Sequence, residues 1–286
     1  MQINPVFKKE LKLSVRSARL PVVMLIYNSV LAFISLLIFY TIIGNAQWSG
    51  LMDFTSVILL YIVVISIEGV LLAFIIPALT ASTISGERER QTLDILLTTR
   101  MTPFGIISGK LMSSVSMIVL LVISSIPVIS IVFIFGGISL QDVLYIIVYL
   151  IFTAIFFGTI GITCSAVCKK TPSATVAAYG IVLGLCAGTV LLVLAFSFIG
   201  LSSGMVNKEM IGLAALILLL NPGMTIVAVL IRQMADASIA GLVFYEGLGI
   251  PRFFSEHWII ISVLVQLVLM VFLLWRASWA LKPKRK

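Results

Sequence analysis

The sequence predicts an all-α polytopic membrane protein with six transmembrane helices. Three observations predict it: a composition too apolar for water, six unbroken apolar runs of spanning length, and basic residues gathered into alternate connections between them. Of 286 residues, 61% are hydrophobic and only 10% are charged, with mean hydropathy +1.22. A soluble domain carries roughly a quarter charged residues, and this composition would leave large apolar patches in water. Crossing a ~30 Å hydrocarbon core takes about 20 apolar residues in a helix. Runs 21–43, 55–79, 111–135, 142–167, 174–199 and 258–275 meet that length. None alternates with a period of two, so a β-barrel does not fit.

The first run is too long for a signal-peptide core and lacks a small-residue cleavage pattern after it, so it is expected to stay as a span. A seventh run, 210–231, is interrupted by Asn221-Pro222-Gly223. Neither half is long enough to cross. It reads as a re-entrant outer-leaflet segment over 209–231, turning at those three residues. A kinked full span is the other reading.

Basic residues decide orientation. Lys8, Lys9, Lys12, Arg16 and Arg19 precede the first run. Arg88, Arg90, Arg100 and Lys110 follow the second, Lys169 and Lys170 follow the fourth, and Arg276, Lys282, Lys284, Arg285 and Lys286 follow the last. Six crossings put these sixteen of nineteen on one side, the cytoplasm, with both termini. The net charge of +8 is therefore a topology signal and no nucleic-acid footprint. It also suits the anionic inner leaflet of a cell membrane. Residues 1–20 read as an interfacial helix, with Lys8, Lys12, Arg16 and Arg19 on one face and Phe7, Leu11, Val15 and Ala18 on another. A plain positive anchor is the alternative. The whole chain, 1–286, reads as one transmembrane domain with no soluble domain attached.

Enzymatic motifs are weak. Gly105-Ile-Ile-Ser-Gly109-Lys110-Leu111 has three residues between its glycines where a P-loop has four, and Leu where the loop needs Ser or Thr. Metal-assisted chemistry in the membrane wants several His and Glu on facing helices. His257 is the sole histidine and reads as an interfacial residue beside Trp258. Cys164, Cys168 and Cys186 show neither disulfide nor metal spacing.

Two intramembrane features stand out. Glu68 is the one acid well inside a run, where a charge costs roughly 2.5–3.5 kcal/mol to insert. It reads either as a functional site or as a protonated carboxyl bonded to a neighbouring helix. Gly180, Gly184 and Gly188 recur every four residues in the fifth run, a smooth stripe for close helix packing within the chain or with a second subunit. Pro77 and Pro127 are expected to kink their helices.

The connection after the second run is the most informative. Ser85 or Gly86 can cap a helix start, Arg90 and Asp94 can pair at i, i+4, and Leu93, Leu96 and Leu97 share an apolar face. This predicts a short amphipathic surface helix, fit either to dock a partner or to lie as a membrane-hugging loop. The motifs Glu87-Arg88-Glu89, Thr92-Leu93-Asp94, Leu96-Leu97-Thr98-Thr99 and Gly109-Lys110-Leu111 resemble the permease subunits of type-2 ATP-binding-cassette (ABC) transporters. Gln91 stands where that family usually has Gly, and Arg100 where it often has Pro.

The resemblance implies that 83–104 is a coupling segment, with Gly86, Glu87, Arg88, Glu89, Thr92, Leu93, Asp94, Leu96 and Leu97 meeting a separate ATPase subunit. It implies a chain that is no enzyme and holds no cofactor, because Mg-ATP binds the partner. It also implies a second permease, alike or related, and export as the direction. Readings from other classes are a six-helix channel or secondary carrier using Glu68, and a membrane scaffold without transport.

Overall fold

A computed structural model describes residues 19–49, 54–93, 102–134, 138–203, 212, 214–234 and 252–281. Among them every regular element is helical, and six helices are long and apolar enough to cross a membrane. In chain order they are α1 (Arg19–Ser49), α2 (Phe54–Thr80), α3 (Ser85–Glu89), α4 (Pro103–Ile134), α5 (Leu140–Val167) and α6 (Thr171–Leu183). A π-helical turn (Gly184–Gly188) leads from α6 into α7 (Thr189–Ser203). A 3-10 turn (Leu216–Leu220) precedes α8 (Pro222–Met234), followed by α9 (Arg252–Glu256) and α10 (Trp258–Ala280). The expected interfacial helix lies outside the described residues, except for its last two, which open α1. The chain forms two compact units, Gly180–Val271 and the remainder.

In the larger unit, α5 is apolar all round and buries Ile146, Leu150, Ala154, Phe156, Phe157 and Ile160 against α2 and α4, as a helix at the centre of a bundle should. α1 packs on α2 and α4. Ser139 caps α5 by accepting from the Asp142 amide, and the acid of Asp142 sits in the helix's first turn. Glycine matters where α5 meets α2. A Cβ at Gly161 would overlap the Thr80 hydroxyl, and one at Gly158 would touch Ile118, Ile76 and Thr80. Pro77 and Pro127 lie inside α2 and α4. Near Pro77, the Phe74 carbonyl accepts the Tyr179 hydroxyl at 2.8 Å.

Phe33, Tyr40, Phe74, Leu144 and Val148 project outward, where lipid rather than water solvates them. Without a hydrophobic drive between helices in lipid, close packing and interhelical hydrogen bonds hold the bundle.

In the smaller unit, Val193, Ala215, Leu218, Leu219, Ala228 and Trp258 form the core. The break expected at Asn221-Pro222-Gly223 falls on Asn221 alone, whose φ −90° and ψ 111° are extended. Pro222 already opens α8, where its missing N–H costs nothing. At 1.5 Å per residue α8 is about 20 Å long, short of a ~30 Å crossing.

The glycine stripe has no close neighbour among the described residues of this chain. Gly180 and Gly184 have no atom within 4 Å of a built Cβ, and Gly188 meets only the Leu183 carbonyl. Among the described residues the tightest glycine approach is that of Gly161 in α5 to Thr80; spacing alone does not single it out.

Candidate functional site

The connection between α2 and α4 folds back on the bundle through three consecutive charges, each reaching a different element. Glu87 pairs with Lys110 of α4, Nζ to Oε1 at 2.9 Å. Arg88 donates to the carbonyls of Ala166 (2.9 Å) and Cys168 (2.7 Å), the open C-terminal end of α5. Glu89 accepts from the amide and hydroxyl of Thr171, at 2.9 and 2.8 Å, at the start of α6. A cation thus sits on a helix C-terminus and an anion on a helix N-terminus, each complementing backbone groups left without helical partners. The reverse contact caps α3 itself. Ser165 Oγ accepts from the amides of Ile84 (2.8 Å) and Ser85 (2.9 Å).

Lys110 is 1% exposed and also donates to the Thr83 carbonyl at 2.9 Å. One ammonium therefore holds both the entry to α3 and its middle. Gly86 leaves space, with only Thr171 Oγ1 near a built Cβ at 3.9 Å.

α3 is shorter than the spacing predicts. It stops at Glu89, and Gln91 takes φ 59°. The Gln91 amide bonds the Arg88 carbonyl and the Thr92 amide bonds the Glu87 carbonyl, the paired bonds of a Schellman end with Gln91 in its left-handed position. The α3 helix therefore ends before Arg90, and Asp94, its expected i, i+4 partner, lies outside the described residues. Leu93 is a second correction. Rather than lining an outward ridge, it is buried with Ile84, Ile107, Ile162, Ala166, Ala277 and Leu281. Asp94, Leu96 and Leu97 lie outside the described residues. Arg90, Gln91 and Thr92 are exposed.

Glu68 belongs to a separate cluster. It is 0% exposed, and its Oε1 accepts from Tyr27 of α1 (2.8 Å) and Ser125 of α4 (2.6 Å). Oε2 has no hydrogen-bond partner among the described residues. Next to it, Asn28 donates to Ser124 at 2.8 Å. The carboxyl thus ties three helices of one chain together. Sequence reasoning missed Tyr27, Asn28, Ser124 and Ser125; the available signal was two adjacent polar pairs inside apolar runs.

A third network, also missed, surrounds the Asn221 break. The Asn221 amide donates to the Cys186 carbonyl in the π-turn (2.8 Å) and to Thr189 (2.9 Å), while its Oδ1 accepts from the Gly223 amide (2.8 Å). Ser262 and Gln266 of α10 donate to the Leu219 carbonyl at 2.8 and 3.3 Å, and Thr225 contacts Ser262. Broken backbone at membrane depth needs such partners. His257 is exposed and stacks beside Phe253.

Among protein families, the sequence model described as ABC-2 family transporter protein matches residues 4–279, nearly the whole chain. No curated protein matches the chain.

Proposed function

The chain belongs to the ABC-2 transporter family, and we propose that it is the permease subunit of an exporter driven by a separate ATPase that docks on the connection between α2 and α4. The carrying observation is the two-sidedness of that connection. Its inner side is fixed to α4, α5 and α6 by Glu87, Arg88 and Glu89, while Arg90, Gln91 and Thr92 remain exposed. A segment anchored to several spans and presenting exposed polar residues suits the transfer of a partner's motion to the membrane.

In this reading the partner binds Mg-ATP and hydrolyses it, this chain supplies the path, and a second permease completes the unit. The distribution of basic residues supports cytoplasmic termini in a cell-membrane protein, and in this reading 209–231 re-enters the outer leaflet. Cysteines introduced at Asn45 and Ser203 then label from outside, and one at Lys284 does not; outside labelling at Lys284 contradicts the topology.

Affinity purification of the full chain, co-expressed with ABC ATPase subunits from its own source, tests the subunit assignment. Co-purification of an ATPase, with hydrolysis altered by the permease, is the expected result. A chain that transports alone, or that purifies without any ATPase, contradicts it.

A further inference from the structure

We propose that Lys110 is a positioning residue for energy coupling: paired with Glu87, it makes α3 and α4 move as one body. This deepens the subunit reading above and rests on it. The three ties of α3 are unequal. Glu89 is exposed, and its hydrogen bonds to Thr171 compete with water. Arg88 holds backbone carbonyls at the α5 end, a contact that fixes position without a second charge. Lys110 alone is a buried cation, at 1% exposure, with a carboxylate at 2.9 Å.

The geometry of that ammonium makes it a link rather than a cap. It bonds Thr83 and Glu87, four residues apart, and so grips α3 on both sides of its first turn. It stands eight residues into the continuous helix Pro103–Ile134, so a displacement of α3 has no hinge before it reaches the span. Ile84, which opens α3, and Ile107 of α4 also share one buried apolar cluster with Leu93, a second link between the same two helices. Glu87, by the same geometry, is turned inward. Its part is transmission, and partner recognition falls to the exposed residues that follow.

The experiment compares the wild-type complex with two double variants. E87Q/K110Q leaves neither charge alone in the interior, and E87K/K110E exchanges the pair. ATPase association is measured by co-purification. The ATP-driven response of α4 is measured from a spin label on a cysteine at Leu120, an exposed position of α4, in a chain whose three native cysteines are replaced. E87Q/K110Q is expected to hold the ATPase as wild type does while the ATP-driven response falls about tenfold, a coupling loss within the usual allosteric range. E87K/K110E is expected to restore it.

A full response in E87Q/K110Q overturns the proposal, and so does a folded E87K/K110E complex without the response. Loss of the ATPase from E87Q/K110Q makes Glu87 a docking residue and overturns the proposal while leaving the subunit reading intact. A wild-type chain that holds no ATPase overturns both. Should E87Q/K110Q fail to fold, the exchanged pair alone decides, by the same two outcomes.

Discussion

Tyr27 donates its hydroxyl to Glu68 at 2.8 Å, joining α1 to α2 in the interior of the bundle, and Ser125 of α4 shares the same carboxyl oxygen. Removing that acceptor strands two buried donors, at about 1–3 kcal/mol. Glu68→Ala should therefore lower the thermal melt in detergent, whereas Glu68→Gln, which keeps a carbonyl oxygen in place, should melt near wild type. Tyr27→Phe should cost less than Glu68→Ala. An unchanged melt for Glu68→Ala contradicts this role.

Gly161 meets Thr80 with no space for a methyl group. Gly161→Ala should destabilise the chain by about 1–3 kcal/mol, the usual cost of overpacking, and Thr80→Ala in the same chain should recover part of it. Gly184→Leu should leave the melt of the isolated chain unchanged, because open space surrounds Gly184. Any effect of Gly184→Leu should instead appear in subunit stoichiometry. A large fall in the melt of isolated Gly184→Leu chain counts against the placement of α6 and the π-turn.

Asn221 holds the break between the 3-10 turn and α8 with both ends of its amide. Asn221→Asp keeps the oxygen that caps α8 and loses the donor to Cys186 and Thr189. Interhelical hydrogen bonds in membranes average about 0.6 kcal/mol and reach about 1.7. A drop in stability on that scale is expected for Asn221→Asp and a larger one for Asn221→Leu, read from melts in detergent. Equal melts for the two variants would show that the cap contributes nothing.

The spans were legible because their signal is additive: twenty apolar residues in a row have few other solutions. The break at Asn221 was legible because a proline follows it. The partners were not legible. Nothing in the spacing of Glu87, Arg88 and Glu89 says that they reach α4, α5 and α6, since those contacts join residues 23 to 82 apart in the chain and depend on how the spans pack. Leu93 looked like part of an outward ridge because the periodicity was continued past Glu89, where the backbone turns. The glycine stripe shows a related limit: period identifies a face but not what lies against it.

Gln91 at φ 59° occupies the position where the resemblance led one to expect glycine. A left-handed non-glycine residue costs roughly 1–2 kcal/mol. Gln91→Gly should leave stability unchanged or raise it by up to about 1 kcal/mol, and Gln91→Val should lower it, because a β-branched residue tolerates that conformation poorly. A Gln91→Val chain as stable as Gln91→Gly, measured by thermal melt, contradicts the Schellman end to α3.

Site-specific photo-crosslinking from the exposed positions Arg90 and Thr92 tests the central claim, that a separate ATPase docks on the connection between α2 and α4. A photoreactive residue at either position should capture the ATPase subunit in membranes, while one at Phe198, exposed on the apolar face of α7, should not. Equal capture from all three positions, or none from Arg90 and Thr92 in a complex that co-purifies intact, would contradict it.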